Sequence, residues 1–365
     1  MEILQKTKIL ANSGKYDSCG PKMCGVKVDS GLGGIYHAKA EHKTCRLFKT
    51  LMDNDCKFDC KYCGNANGCT KNKAKYKPKE LVTIFDFLQK KLDVHGLFLS
   101  SAVSANPDKV TEEMIEAVKL LRTEKRFKGY VHFKVLPGTS YELIKQASEF
   151  SNRMSINLEA PNKIAMHELS SCKEYKTDIL RRQSWISGLT KKKGVLEGGQ
   201  ATQLILNKLS TDKDVIKMVD WEYENFDLKR VYFSAFQPVK GTPLENEKAE
   251  PLTRQNRLYN VDFLLRQYQF KAKEFVNIMD DGMLPNEDPK LALAKANFDG
   301  AIDINEASFE ELIRIPGIGP KTAQRIVSGK KIKKYEHLHE LGGWINRAKP
   351  FISVDGKRQA MLGEF

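Results

Sequence analysis

Between residues 46 and 270 short apolar runs alternate with amphipathic stretches. The runs are LFKTLM (47–52), GLFLSSAV (96–103), YVHFKVL (130–136), RMSINLEA (153–160), ATQLILN (201–207) and RVYFSAF (230–236). Each is short and rich in β-branched or aromatic residues, which predicts a strand. The intervals carry helical spacing. KELVTIFDFLQKKL (79–92) is one such helix, and TEEMIEAVKLLRTE (111–124) is another, with Met114, Ile115, Val118 and Leu121 on one face and Thr111 as its expected cap after Pro107. Six strand–helix units in a row imply an α/β fold with a parallel sheet, either open or curled into a partial barrel. In both cases the working groups are expected at the C-terminal ends of the strands. The pattern stops at DDGMLPNEDPK (280–290), a Gly/Pro/Asp-rich linker or turn, and a helical, Lys-rich segment follows over about 291–365. Residues 1–45 are Gly-, Lys- and Cys-rich and read as an irregular extension. The expected organisation is therefore 1–45, 46–279 and 280–365.

Composition changes this picture little. The chain has 365 residues, 41% hydrophobic and 29% charged, as in a folded protein. No apolar run approaches the roughly 20 residues of a membrane span, and MEILQKTKIL lacks the apolar core of a secretory signal. A cytoplasmic protein without a membrane partner is expected. Charge adds more. The formal net charge is +14, and residues 1–80 hold sixteen basic against eight acidic side chains. A polyanion such as nucleic acid suits this surface, although simple solubility explains it too. KNKAKYKPK places Lys71, Lys73, Lys75, Lys77 and Lys79 at period two, so an extended backbone sets all five on one side and Tyr76 on the other. That stripe is either a solvated loop or a phosphate rail.

Seven of the eight cysteines fall in the first 69 residues. Clustered thiols in a chain of this kind point to metal or redox chemistry more than to disulfides. CKFDCKYCGNANGC contains Cys56, Cys60 and Cys63 at C-x3-C-x2-C spacing directly after the first strand, with Tyr62 before the third. Thiolates favour zinc, copper(I) or iron–sulfur clusters. Zinc wants four closed ligands, and Cys69 offers a fourth. A four-iron cluster held by three thiolates keeps one iron open to a substrate or cofactor.

This loop resembles the signature of the radical S-adenosylmethionine enzymes. The resemblance implies a partial (β/α)6 barrel, a [4Fe-4S] cluster on Cys56, Cys60 and Cys63, and reductive cleavage of S-adenosylmethionine to a hydrogen-abstracting 5′-deoxyadenosyl radical. It places Tyr62 near the adenine. Ser100 and Ser101 stand where the family has a Gly-Gly-Glu-like turn for the methionine amine, and this chain lacks those glycines and that glutamate. Glu159 in SINLEAPN suits a ribose or methionine contact, or a plain ion pair. Gln203 in GGQATQLIL and Pro238 in FQPVKGTPL occupy the fifth- and sixth-strand positions of the cofactor site. Cys19, Cys24, Cys45 and Cys69 are candidates for an auxiliary metal or cluster, or are simply free thiols. Cys172 is read as structural, with hydrogen-atom donation as the alternative.

Near the C-terminus, IDINEASFEELIRIPGIGPKTAQRIV (302–327) reads as a helix capped by Asn305 or Ser308, a turn at PGIGPK and a second helix. Gly317 and Gly319 permit a tight turn that points N–H groups outward at a helix N-terminus, where a phosphate binds. Lys321 and Thr322 stand beside it, and Lys321, Arg325, Lys330, Lys331, Lys333 and Lys334 follow without an acid. The stretch resembles the helix-hairpin-helix motif of DNA repair and DNA uptake proteins, which grips backbone rather than sequence. LHELGGWINRAKPFI (338–352) is a candidate partner repeat.

From about Lys15 to Phe351 the chain resembles one group of radical S-adenosylmethionine proteins whose label is DNA modification or repair. That group is associated with a uracil-DNA-glycosylase-like partner. The resemblance implies a radical enzyme acting on DNA and served by a small electron-donor protein. An RNA substrate, or a non-catalytic zinc-stapled nucleic-acid-binding protein, remain the alternatives.

Overall fold

The computed structural model describes residues 1–14, 33–40, 43–69, 72–104, 106–329 and 331–357. Cys19, Cys24, Lys71 and Lys330 lie outside these residues. The chain divides into two compact units, residues 1–210 with 221–255, and residues 211–220 with 256–365. This division does not follow the expected 279/280 boundary: residues 256–279 belong with the C-terminal unit.

In the first unit seven strands form one sheet in chain order: β1 (Ile35–Ala40), β2 (Lys43–Leu51), β3 (Gly96–Ser100), β4 (Tyr130–Lys134), β5 (Arg153–Ser155), β6 (Gln200–Leu206) and β7 (Arg230–Ala235). β1 is antiparallel to β2, and β2 through β7 are parallel neighbours. The sheet curls into an open half-barrel. Parallel neighbours need crossovers, and these carry α2 (Pro78–Leu92), α3 (Pro107–Thr123), α4 (Tyr141–Ser148), α5 (Lys163–Leu169), a single π-turn (Tyr175–Leu180), α6 (Arg181–Thr190) and α7 (Asp212–Phe226). Helix α3 buries Val110, Met114, Ile115, Val118 and Leu121, the face its spacing predicts. Burial of this kind is worth about 1.5–3 kcal/mol per large aliphatic side chain.

Side chains two apart in a strand share a face, and this rule locates the site. Lys49 partners Phe98, and Phe98 partners His132. These three fill the lower interior: the Lys49 ammonium lies 4.9 Å from the Phe98 ring centroid and His132 Nε2 is 2.7 Å from Ser155 Oγ. Burial, then Arg153 and Lys49, hold His132 well below its ordinary pKa, hence neutral. Two residues further along the same faces come Leu51, Ser100 and Lys134, which line an open pocket at the C-terminal ends of the strands.

Several details correct the sequence reading. The extension is partly regular: α1 (Ile3–Ser13) packs near β2, and β1 pairs along its edge. Helix α3 starts at Pro107 under an Asn106 cap, while Thr111 turns inward and its Oγ bonds Pro107 O at 2.8 Å. Strand β5 ends at Ser155; beyond it Thr202 Oγ1 donates to Ile156 O at 2.8 Å and accepts from Leu158 N at 3.0 Å, and the chain then turns through Glu159, whose φ is +64°.

The second unit holds the C-terminal part of α8 (Leu252–Tyr268), then α9 (Ala272–Val276), α10 (Pro289–Asn297), α11 (Phe309–Arg314), α12 (Pro320–Val327), α13 (Tyr335–Glu340) and α14 (Ile345–Ala348). Two short parallel strands, β8 (Ile302–Asp303) and β9 (Ile352–Ser353), tie the beginning of the helical segment to its end. Ile304, Leu312, Ile315, Ile318, Ala323, Leu338 and Ile352 form its core.

Glu222 in α7 is fully buried beside Gln183, and neither carboxylate oxygen makes a well-formed hydrogen bond. Burial raises its pKa to about 8, with Gln183 opposing. The folded pKa exceeds the unfolded one, so full stability holds below the ordinary carboxylate range and declines as pH rises toward 8. Glu222→Gln, neutral throughout, should unfold several degrees above wild type at pH 9, with the gap closing by pH 5. Thermal scans across pH check this, and parallel curves would refute it.

Candidate functional site

The cysteine loop leaves β2 at Leu51 and is fastened before it reaches its thiols. Asn54 accepts from Ala74 N at 2.7 Å and donates to Asn72 O at 2.8 Å. Lys57 N donates to Val103 O at 2.8 Å after β3, and Lys61 N donates to Leu169 O at 2.9 Å at the end of α5. Asp59 is the strongest anchor. It accepts from Ser170 Oγ at 2.6 Å, Ser171 Oγ at 2.5 Å, and the Ser171 and Cys172 backbone N–H groups. Although burial opposes ionisation, these donors hold the Asp59 carboxyl far below its ordinary pKa.

The loop delivers Cys56, Cys60, Tyr62 and Cys63 to a cavity of about 390 Å3 whose wall also includes Ser100, Ser101, Lys134, Asn157, Glu159, Lys173, Gln203, Gln237 and Val239. Of the cofactor positions expected from sequence, the structure brings Tyr62, Ser100, Ser101, Glu159 and Gln203 to this wall. At the sixth-strand loop, Gln237 and Val239 line the cavity on either side of Pro238. Ser101 is partly engaged elsewhere, with its Oγ 3.2 Å from Asp53 N. Lys134 and Lys173 were not singled out in the sequence. Lys134 is detectable as a lysine at the end of an apolar strand, whereas Lys173 sits in a polar loop and gives no signal.

Electrostatics single out one corner. Lys173 Nζ lies 3.2 Å from Tyr62 Oη and 3.7 Å from Glu159 Oε1. Burial would lower Lys173, but Cys60, Glu159 and Cys63 outweigh it and hold the ammonium charged. Burial lowers Lys134 to about 8, with Glu159 pulling upward. Burial, then Glu159 and the thiols, pushes the Tyr62 phenol well up. Cys63 rises to about 12 through burial and Cys60, and Cys56 rises for the same first reason. Phe58 N and Asn65 N point at Cys56 Sγ and Cys63 Sγ, each at 3.4 Å. Glu159 takes 3.2 Å from Asn157 Nδ2 on Oε1, while buried Oε2 has no well-formed hydrogen bond despite the neighbouring Tyr62 hydroxyl. A non-glycine residue at φ +64° holding a half-satisfied buried carboxylate is a strained group of the kind found at ligand sites.

Among the described residues no three His, Cys, Asp or Glu side chains converge on a single metal ion. Cys56, Cys60 and Cys63 stand on one wall of the cavity. Cys45 lies in β2 and Cys69 after the loop, neither on the cavity wall.

In the second unit the hairpin turn sits between α11 and α12. Ser308, and not Asn305, caps α11 by accepting from Glu311 N. Gly317 has φ +86°, and an added Cβ there would lie 2.5 Å from Trp344 O. Trp344 N donates to Gly317 O at 2.9 Å, and Lys290 Nζ donates to Ile318 O at 2.6 Å. Burial first, then Arg347, lowers Lys290 to about 7. Lys321 is exposed. Thr322 is not: it is buried, and its Oγ donates to Leu341 O at 3.2 Å, because the hydroxyl faces the second hairpin. In the lysine stripe, Lys73, Lys75 and Lys77 are exposed and alternate with buried Ala74 and Tyr76, while Lys79 has entered α2. Lys73 pairs with Asp55 and Lys75 with Glu113.

The family model described as the helix-hairpin-helix motif matches residues 298–343. No curated protein matches the chain. Among solved structures, HydG, a maturase of the [FeFe]-hydrogenase, is 13% identical with a TM-score of 0.46, covering 60% of this chain and 49% of that one. HydG from Carboxydothermus hydrogenoformans is 12% identical with a TM-score of 0.48, covering 60% and 51%. Methylornithine synthase (PylB) is 14% identical with a TM-score of 0.46, covering 60% and 61%. The chain thus spans about half the length of the two HydG structures. No helix among the described residues is long and apolar enough to cross a membrane.

Asp59→Asn replaces an ionised acceptor of several hydrogen bonds by a group that brings its own donors. It should cost about 1–3 kcal/mol of stability. The native pKa is depressed, so the wild-type advantage is present above the ordinary carboxylate range and shrinks as pH falls below it. Denaturant midpoints at pH 7 and pH 3 measure both; equal midpoints at pH 7 would remove Asp59 as an anchor.

Proposed function

We propose that the protein is a radical S-adenosylmethionine enzyme that modifies or repairs DNA. The observation that carries the catalytic half is the grouping of Cys56, Cys60 and Cys63, from one loop, with a strained buried carboxylate and two partly buried lysines at the C-terminal end of a parallel half-barrel. The three thiols would hold a [4Fe-4S] cluster. The donor set fits: soft ligands for three irons and N–H groups aimed at two of the sulfurs.

Glu159 Oε2, buried without a well-formed hydrogen bond, would accept from the methionine amine of S-adenosylmethionine, a role for which Ser100 and Ser101 lack the family's Gly-Gly-Glu-like turn. Lys134 and Lys173 offer cations for the carboxylate. Tyr62, Gln203 and the loop around Pro238 border the room for the nucleoside. Bound there, the cluster and S-adenosylmethionine would supply one-electron cleavage of a carbon–sulfur bond and a radical able to abstract hydrogen. The protein contributes shielding: Leu136, Val103, Phe58 and Phe236 line the cavity with apolar surface, which limits water. A small electron-donor protein would have to deliver the electron.

The DNA half rests on the hairpin. The turn at Gly317 and Gly319, with Lys321 exposed beside it, is suited to phosphate without reading bases. Thr322 supports the turn from beneath instead of touching the ligand. A uracil-DNA-glycosylase-like partner fits the same reading, since both proteins would meet on damaged DNA.

Two measurements test the halves separately. Replacing Cys56, Cys60 and Cys63 together by Ala should abolish both cluster absorbance after anaerobic reconstitution and formation of 5′-deoxyadenosine; retention of either would falsify the ligand assignment. Lys321→Ala should weaken binding to every DNA sequence alike and lower the salt slope by about one. It should leave uncoupled cleavage of S-adenosylmethionine unchanged. An unaltered slope removes Lys321 from the interface.

A further inference from the structure

The described residues include three tryptophans, and one of them is out of place. Trp344 is 69% exposed, against 41% for Trp221. A single exposed apolar side chain is ordinary on a protein surface, so what sets Trp344 apart is where it stands. Its position is specific. Trp344 lies in the second hairpin turn, between α13 and α14, and that turn is docked on the first: its N–H bonds Gly317 O, and its Cβ is 3.2 Å from where a Gly317 Cβ would stand. The ring therefore springs from the same knot of backbone as the proposed phosphate grip.

The side chains around this knot are mainly cationic. Arg325 is exposed with Nη1 bonding Leu341 O, Arg347 Cβ lies 3.1 Å from where a Gly317 Cβ would stand, and Lys321 is exposed. Asp288 pairs with Arg347 at 3.2 Å, and Glu340 is exposed nearby in sequence. Charge of this sign calls for a polyanion, but an indole adds nothing to a phosphate contact. What a nucleic acid offers a flat apolar ring is the face of a base. In an intact duplex those faces are stacked on one another and closed to it; in a single strand or beside an extruded base they are open.

Resting on the nucleic-acid reading of the hairpin, we infer that Trp344 is a base-stacking platform, and that the C-terminal unit binds DNA with an unstacked base in preference to intact duplex. The two turns then divide the work: the Gly317 turn holds the phosphate, and Trp344 takes the base beside it. A barrel that must reach an atom of one nucleoside would be served by a domain that recognises where stacking is already broken.

The test uses the full-length protein and a fluorescein-labelled strand, alone and in perfect duplex, with anisotropy read at several salt concentrations. Trp344→Ala should weaken single-strand binding by about tenfold or more, leave duplex affinity near wild type, and leave the salt slope unaltered because no phosphate contact is lost. Trp344→Phe should retain most of the affinity, which separates stacking from a folding defect. Indole fluorescence should fall on binding in wild type and much less in Trp344→Phe. If Trp344→Ala binds the single strand as well as wild type, the stacking role is wrong while the hairpin reading stands. Loss on duplex and single strand alike also overturns it, by making Trp344 a wedge or a structural residue. If wild type binds neither form, the nucleic-acid reading itself fails and this inference with it.

Discussion

Asp59 is the fixed point of the first unit. One carboxylate, four donors and two distant segments meet there: the cysteine loop after β2 and the Ser170–Cys172 turn after α5. The turn is immediately followed by Lys173, whose ammonium reaches Tyr62 and Glu159. A loop rich in cysteines has no apolar core of its own, so its geometry must be imposed from outside. Asp59 does this by charge-assisted hydrogen bonds, which are short and directional. Without them only the Lys61 N to Leu169 O bond and weaker contacts would tie the loop to the segment that carries Lys173, and the corner formed by Cys60, Tyr62, Glu159 and Lys173 would loosen.

The cavity itself follows from strand periodicity. Interior positions alternate with exterior ones, so Lys49, Phe98 and His132 form a plug, and the next inward layer forms the floor of the site. A polar plug is unusual, and it is tolerated because His132 is neutral and hydrogen-bonded to Ser155 while Lys49 lies against aromatic rings. Above it, buried charges of both signs share one small space. That arrangement costs stability in isolation.

Much of this was legible from local pattern. The strands were readable because each is short, apolar and bounded, and the three thiols because their spacing is chemical. Glu159 was found by its place after a strand. Lys173 and Asp59 were hidden, since each acts on a partner more than a hundred residues away and each sits among polar residues that look like solvated loop. Thr322 was misplaced because helical phase near a turn depends on one residue, and the phase that buries Ala323 and Ile326 carries Thr322 inward too. The cap of α3 was misjudged for a related reason: Pro107 fixes the first helical position, so the cap must precede it at Asn106.

The antiparallel strand β1 has a consequence of another kind. β2 is nine residues long and carries Leu47, Phe48 and Leu51. Left at the margin of the sheet, it would offer a ladder of free amides and carbonyls to any extended chain nearby. β1 occupies that ladder residue for residue, from Ile35 opposite Phe48 to Ala40 opposite Lys43. Its contribution is to colloidal behaviour as much as to folding: a sheet lacking β1 would expose a sticky edge along which copies of the protein could add to one another.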